Sequence, residues 1–190
     1  MKNKFRWNLL YNPFTKIAGW QAFAVGILIV LLSGLIGSYA GIAFDGAIDT
    51  HITENLTIKE SFLLLGIDIV SVVVILFIAG LIISKRLRFV DILGTMTLAR
   101  APLILLAILG LIVTPVSAEE IMSNPMAILH NPGLVIFSVI SIPIVIWFIA
   151  LMYNGFRVST GAKGAKMIVG FIVGLIAAEI VSKILIFQLF

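Results

Sequence analysis

The sequence predicts an all-α fold: one polytopic transmembrane helix bundle of five spans, N-terminus cytoplasmic and C-terminus outside. Three observations carry that expectation. First, 61% of the 190 residues are hydrophobic and 12% are charged, with a mean hydropathy of +1.20, a balance foreign to soluble domains. Second, apolar runs recur at about 18–44, 62–84, 92–116, 132–153 and 167–190. Each has about 22 to 27 residues, enough to cross a ~30 Å hydrocarbon core at ~1.5 Å per residue. Third, the basic residues fall on alternate connections. The five runs fill one membrane domain over 1–190 and leave no room for a second, soluble one.

Residues 1–17 interleave Lys2, Lys4, Arg6 and Lys16 with Phe5, Trp7, Leu9, Tyr11 and Phe14. That mixture suits an interfacial segment, with aromatic rings at the headgroup layer and lysines toward phosphate. Asn12-Pro13 marks a turn before the first span. In that span Ser33, Gly37 and Gly41 recur every four residues, a small-residue stripe suited to close helix packing. Residues 45–61 form an acidic loop with Asp45, Asp49, Glu54 and Glu60 against one Lys59. Asp49, His51 and Glu54 together are better read as loop polarity than as metal ligands. The second span holds Asp68 and ends in the basic turn Lys85-Arg86-Leu87-Arg88. The third holds Arg100 and Pro102. A second acidic loop, 117–131, carries Glu119 and Glu120 and no lysine or arginine. The fourth span contains Pro143 and leads to the basic stretch 154–166. The fifth carries a second stripe, Gly170, Gly174, Ala178 and Ser182, together with Glu179 and Lys183. Pro102 and Pro143 each remove a helical N–H, from the carbonyls of Leu98 and Val139, and are expected to kink their helices.

Charge sets the orientation. Lys2, Lys4, Arg6, Lys16, Lys85, Arg86, Arg88, Arg157, Lys163 and Lys166 belong to one side, and only Lys59 to the loops of the other. Basic residues stay cytoplasmic. The basic face is expected to attract anionic lipid at about 1 kcal/mol per charge near the surface. It is a membrane feature, not a nucleic-acid footprint.

Four charges remain inside the spans: Asp68, Arg100, Glu179 and Lys183. Each costs roughly 2.5–3.5 kcal/mol at the bilayer centre on insertion scales, so mutual compensation is expected. Counting depth at ~1.5 Å per residue pairs Arg100 with Glu179 near the midplane, and Asp68 with Lys183 in the outer third. Glu179 and Lys183 are also four apart on one helix, a favourable local pair. The competing reading is a polar path for an ion or ligand through these four side chains.

Enzyme chemistry finds no footing. Glu119-Glu120 invites comparison with intramembrane prenyl-protein proteases, but position 124 is Asn124 where they have arginine. Both histidines, His51 and His130, lie in loops, so no span serine has a histidine base. Gly161-Ala162-Lys163-Gly164 lacks the strand and spacing of a phosphate loop. With no cysteine, thiol-held metals and disulfides are excluded. No catalytic residue, metal or cofactor is expected.

The Asn12-Pro13-Phe14 entry, the five spans and the stretch Phe89-Val90-Asp91-Ile92-Leu93-Gly94 followed by Pro102-Leu103 resemble the Yip1 family, in particular its short bacterial members. The resemblance covers nearly the whole chain. It implies a Yip1 domain, and a bacterial cytoplasmic (inner) membrane is the expected setting; the short bacterial members are mostly of unassigned function. Helix packing and the basic face carry the expectation of a non-catalytic protein that organises membrane or recruits partners, with a protein partner or a homo-oligomer as the expected associations besides lipid. Eukaryotic relatives are linked to trafficking, Rab GTPases and membrane shaping, and have a longer N-terminal region than the one before the first span here. The tyrosine that often follows the family's glycine is replaced by Thr95.

Overall fold

The computed structural model describes residues 7–115, 122–124 and 126–189. Lys2, Lys4, Phe5, Arg6, Glu119 and Glu120, invoked above, lie outside the described residues. The elements in order are α1 (Asn8–Tyr11), a 3-10 turn (Pro13–Thr15), α2 (Gly19–Ala40), β1 (Ile42–Ala43), β2 (His51–Ile52), α3 (Ile58–Ile83), α4 (Phe89–Ala99), α5 (Leu103–Gly110), α6 (Ala127–His130), α7 (Pro132–Thr160) and α8 (Ala165–Leu189). Five helices, counting α4 and α5 as one, are long and apolar enough to cross a membrane. Outward-facing residues such as Leu28, Ile78, Ile142, Val173 and Phe187 are apolar and exposed, as a lipid-facing belt requires. The chain is an integral membrane protein.

Local chemistry explains the helix ends. Thr57 and Glu60 form a reciprocal capping box at the start of α3. Asn131 caps α7 through Leu134 N–H, and Pro132 occupies the first turn. Gly161 closes α7 in the left-handed region, its N–H donating to Arg157 O. α7 therefore continues to Thr160, through part of a stretch that reads as loop from sequence.

The third span behaves differently from the rest. Two thirds of its most apolar window (67%) is buried, against 28–39% for the other four. α4 packs on α2, α3 and α7, α5 packs on α2 and α7, and α3 joins α8 to the group. The third span is thus the bundle's core, and it is broken. Pro102 has no N–H for Leu98 O, so the chain tightens to i→i+3 bonds. Ala101 N–H donates to Leu98 O, Leu103 N–H to Arg100 O and Leu105 N–H to Pro102 O, each at 3.0 Å. Pro143, by contrast, sits within a continuous α7. Pro102 does more than kink its helix: it interrupts it. It lies in the buried span, where shifted backbone bonds find partners at once.

The glycine stripes separate in the same way. Gly170 and Gly174 lie against Ile83 and Leu76 of α3, where small residues let two backbones approach. Gly37 and Gly41 do not pack helices together. A side chain at Gly37 would meet Ile42 O and the Phe44 ring, part of the chain's own hairpin. Gly41 has φ +65° and lies against Thr53 O, so it is a helix stop that only glycine takes without strain. Close helix contacts on α2 belong instead to Gly26, whose added Cβ would stand 2.5 Å from Leu98 N, and to Gly34, whose added Cβ would stand 2.7 Å from a Leu65 methyl of α3.

Candidate functional site: a column of charge from the rim to the core

The segment after α2 turns back over the bundle. β1 and β2 pair antiparallel, Ile42 with Ile52 and Ala43 with His51, and Thr53 N–H closes the hairpin onto Gly41 O at 2.8 Å. Ile42, Phe44 and Ala47 are buried, so the nominally polar loop plugs the mouth of the bundle with its apolar residues. The tip rests on α8. Ala47 N–H donates to Ser182 Oγ at 3.1 Å, and Ile48 N–H donates to Glu179 Oε2 at 2.9 Å. A side chain at Gly46 would come within 2.6 Å of Glu179 Oε1, so glycine is what lets the tip lie this low.

Three side-chain contacts among four residues fasten the tip. Lys183 Nζ donates to Asp45 Oδ2 at 3.0 Å and to Asp49 Oδ2 at 2.6 Å. His51 Nδ1 lies 3.0 Å from the same Asp45 Oδ2. Burial pushes the Asp45 carboxyl up, but the bonds to His51 and Lys183 outweigh it and hold its pKa below the usual value. The bond to Asp45 raises the His51 pKa above its usual value, against the opposing effect of burial.

Deeper in the bundle, Arg100 Nη2 donates to Asp68 Oδ2 at 3.1 Å. Asp68 is fully buried and Arg100 is 4% exposed. The guanidinium carbon lies 5.7 Å from the Phe148 ring centroid, within cation–π range. Among the described residues Asp68 Oδ1, Arg100 Nε and Nη1, and Ser71 Oγ, three positions along α3 from Asp68, have no partner. The crevice beside Arg100, walled by Ile69, Val72, Met96, Phe148 and Met152, has no room for a water-sized sphere.

These contacts revise the pairing expected from depth. Arg100 meets Asp68, not Glu179, and Lys183 meets Asp45 and Asp49, not Asp68. Glu179 forms no ion pair with Lys183 among the described residues. Instead it accepts a backbone N–H of the hairpin. Two physical reasons account for the difference. Counted from one end of the bundle, Asp68 stands about fifteen residues above Ile83 and Arg100 about eleven above Phe89, an offset of roughly 6 Å that a long arginine side chain spans. Lys183 is claimed by loop carboxylates that fold inward. Asp45 and Asp49 escape a sequence reading that assigns loop acids to water. The signal that could have found them is the apolar content of the loop itself, Ala47-Ile48 between two aspartates.

A further site residue goes unforeseen on the opposite end. Phe14, assigned from sequence to the headgroup layer, is buried at 2% exposure and lies against the backbone of Gly155. Trp147 Nε1 donates to Leu10 O at 2.7 Å and Asn154 Nδ2 to Tyr11 O at 3.0 Å. The segment before α2 is therefore docked along α7. Scans against protein-family models, curated proteins and solved structures find no match to this chain.

Proposed function

We propose that this is a non-enzymatic integral membrane protein of the Yip1 type, oriented with its N-terminus in the cytoplasm, that organises membrane or recruits a protein partner through its basic face. A bacterial cytoplasmic membrane is its proposed setting. The observation that carries this reading is the enclosure of the charges. Arg100 faces Asp68 and the Phe148 ring beside a crevice too tight for water, and Lys183 is held by two aspartates. Charges turned on one another inside a closed bundle serve to fix helices rather than to conduct.

A second reading, transport, is favoured by one observation. Asp68 Oδ1, Arg100 Nε and Arg100 Nη1 are buried without partners among the described residues, below a polar rim of His51, Asp45, Lys183 and Glu179. Unsatisfied buried groups of this kind are found on ion and proton routes.

Proteoliposomes decide between the two. The first reading expects ion and proton leakage at the level of protein-free vesicles, with vesicle size or curvature altered by the protein. A flux through the parent chain above that of protein-free vesicles would replace it with transport. Orientation has its own test, because the chain has no cysteine. In intact cells a membrane-impermeant maleimide is expected to label Glu54→Cys and to spare Lys163→Cys. The reverse pattern overturns the orientation.

A further inference from the structure

Docking of the N-terminal segment against α7 creates two adjoining cavities that share Tyr11 as a wall. One, of about 410 Å³, is the more polar of the two and is bounded by Asn8, Leu9, Asn12, Thr15, Lys16 and Asn154. The other, of about 380 Å³, is apolar and runs along α7 past Ala150, Trp147, Ile146 and Pro143. Asn154 is near the end of α7 that meets the basic connections, and Pro143 is about eleven residues, roughly 16 Å, further toward the midplane. The polar chamber therefore caps an apolar groove that descends into the bilayer. Lys16 is exposed and makes no ion pair among the described residues. Asn12 Oδ1 is buried with no hydrogen-bond partner among the described residues.

We infer that these paired cavities hold one anionic glycerophospholipid, its phosphate on Lys16 and one acyl chain in the groove along α7. The charge of the chamber selects the phosphate. The unpartnered Asn12 oxygen accepts a hydrogen bond from a hydroxyl of the headgroup or glycerol. The apolar walls match an acyl chain, which is the only abundant apolar molecule at this depth. The inference rests on the proposed attraction of the basic face for anionic lipid, and it replaces a diffuse attraction with a discrete site.

Trp147 reports on the groove directly. With the exposed Trp7 and Trp20 changed to phenylalanine, it is the remaining tryptophan. The full chain is placed in phosphatidylcholine nanodiscs doped with acyl-brominated phosphatidylglycerol or acyl-brominated phosphatidylcholine, and bromine quenching of Trp147 is read against dopant content. Phosphatidylglycerol is expected to reach half-quenching at about fivefold lower content, the effect of one lysine charge near the surface. Lys16→Gln should erase that preference while Lys85→Gln/Arg86→Gln keeps it, and Ala150→Phe should fill the groove and weaken quenching by both lipids. Equal quenching by the two lipids in the parent chain overturns the site. If Lys16→Gln and Lys85→Gln/Arg86→Gln reduce the preference equally, attraction is a property of the whole face and the discrete site is wrong. If neither changes it, both the site and the charge-based reading fall.

Discussion

The core pair and the rim clasp use the same chemistry under opposite conditions. At the core, Arg100 and Asp68 share one hydrogen bond, both side chains are enclosed, and three of their polar atoms have no partner among the described residues. At the rim, Lys183 is 38% exposed and has two carboxylates, one of which also holds His51. A half-solvated charge that loses its partner regains water, whereas an enclosed one has nothing to regain. The core pair is therefore held by mutual dependence, and the rim clasp is an adjustable fastening. The contrast also fits the fold. The core pair sits where the most buried span is broken, and the clasp sits on a hairpin that rests on the bundle.

Breaking the core should cost most. Arg100→Leu and Asp68→Leu each strand a buried charge and are expected to lower stability by about 3–5 kcal/mol, read as lost folded yield in detergent chromatography and a lowered thermal midpoint. The double variant Arg100→Leu/Asp68→Leu should recover much of that loss. Glu179→Gln should not mimic either single variant, because the hairpin N–H still finds a side-chain oxygen. If Glu179→Gln matched Arg100→Leu, the pairing described here would be wrong.

The next effect belongs to the backbone contact that holds the core span in place. Gly26→Ala brings a methyl against Leu98 N and should cost about 1–3 kcal/mol as overpacking. Gly66→Ala, in open space on α3, serves as the control. A thermal midpoint equal for the two variants would show that α2 and α4 are not tightly apposed.

At the rim the expected losses are smaller. Lys183→Met should lower global stability by no more than about 1 kcal/mol, the range for partly exposed pairs. It should also raise hydrogen exchange at the amides of Ala47 and Ile48 as the tip lifts. Unchanged exchange at those two amides would mean that the apolar plug of Phe44 and Ala47, and not the charges, holds the hairpin down.

The weakest effect is a pH dependence of the same two amides. The raised pKa of His51 contributes stability that is fully present below its usual value of 6.5 and is lost as pH rises through the raised value. The lowered pKa of Asp45 contributes stability present above its usual value of 3.8 and lost as pH falls through the lowered one. Protection at Ala47 and Ile48, corrected for intrinsic exchange, should therefore be greatest between those two usual values and should decline on the alkaline side. His51→Gln should flatten the alkaline decline. A decline that persists in His51→Gln would assign it to another group.

Legibility from sequence was uneven for reasons visible in single residues. Pro102 announces a break because a missing N–H acts on its own helix, and the break is there. Pro143 carries the same chemistry, yet α7 runs through it, since tertiary context decides whether a helix continues. Gly170 and Gly174 face a helix, while Gly37 and Gly41 face the chain's own hairpin. Spacing records which face a residue occupies and says nothing about what covers that face.

Composition and periodicity by themselves determined the five apolar helices, their approximate limits and the uneven distribution of basic residues. Those properties depend on how each segment meets hydrocarbon or water, and segment by segment that is local. The partners of Arg100 and Lys183 were decided only in three dimensions. Depth along a helix is readable from a sequence count. The angle each helix presents to its neighbours is not, nor is the inward fold of the hairpin that carries Asp45, Asp49 and His51. A charge in a membrane pairs with the opposite charge that packing brings within reach, and packing is a property of the whole bundle.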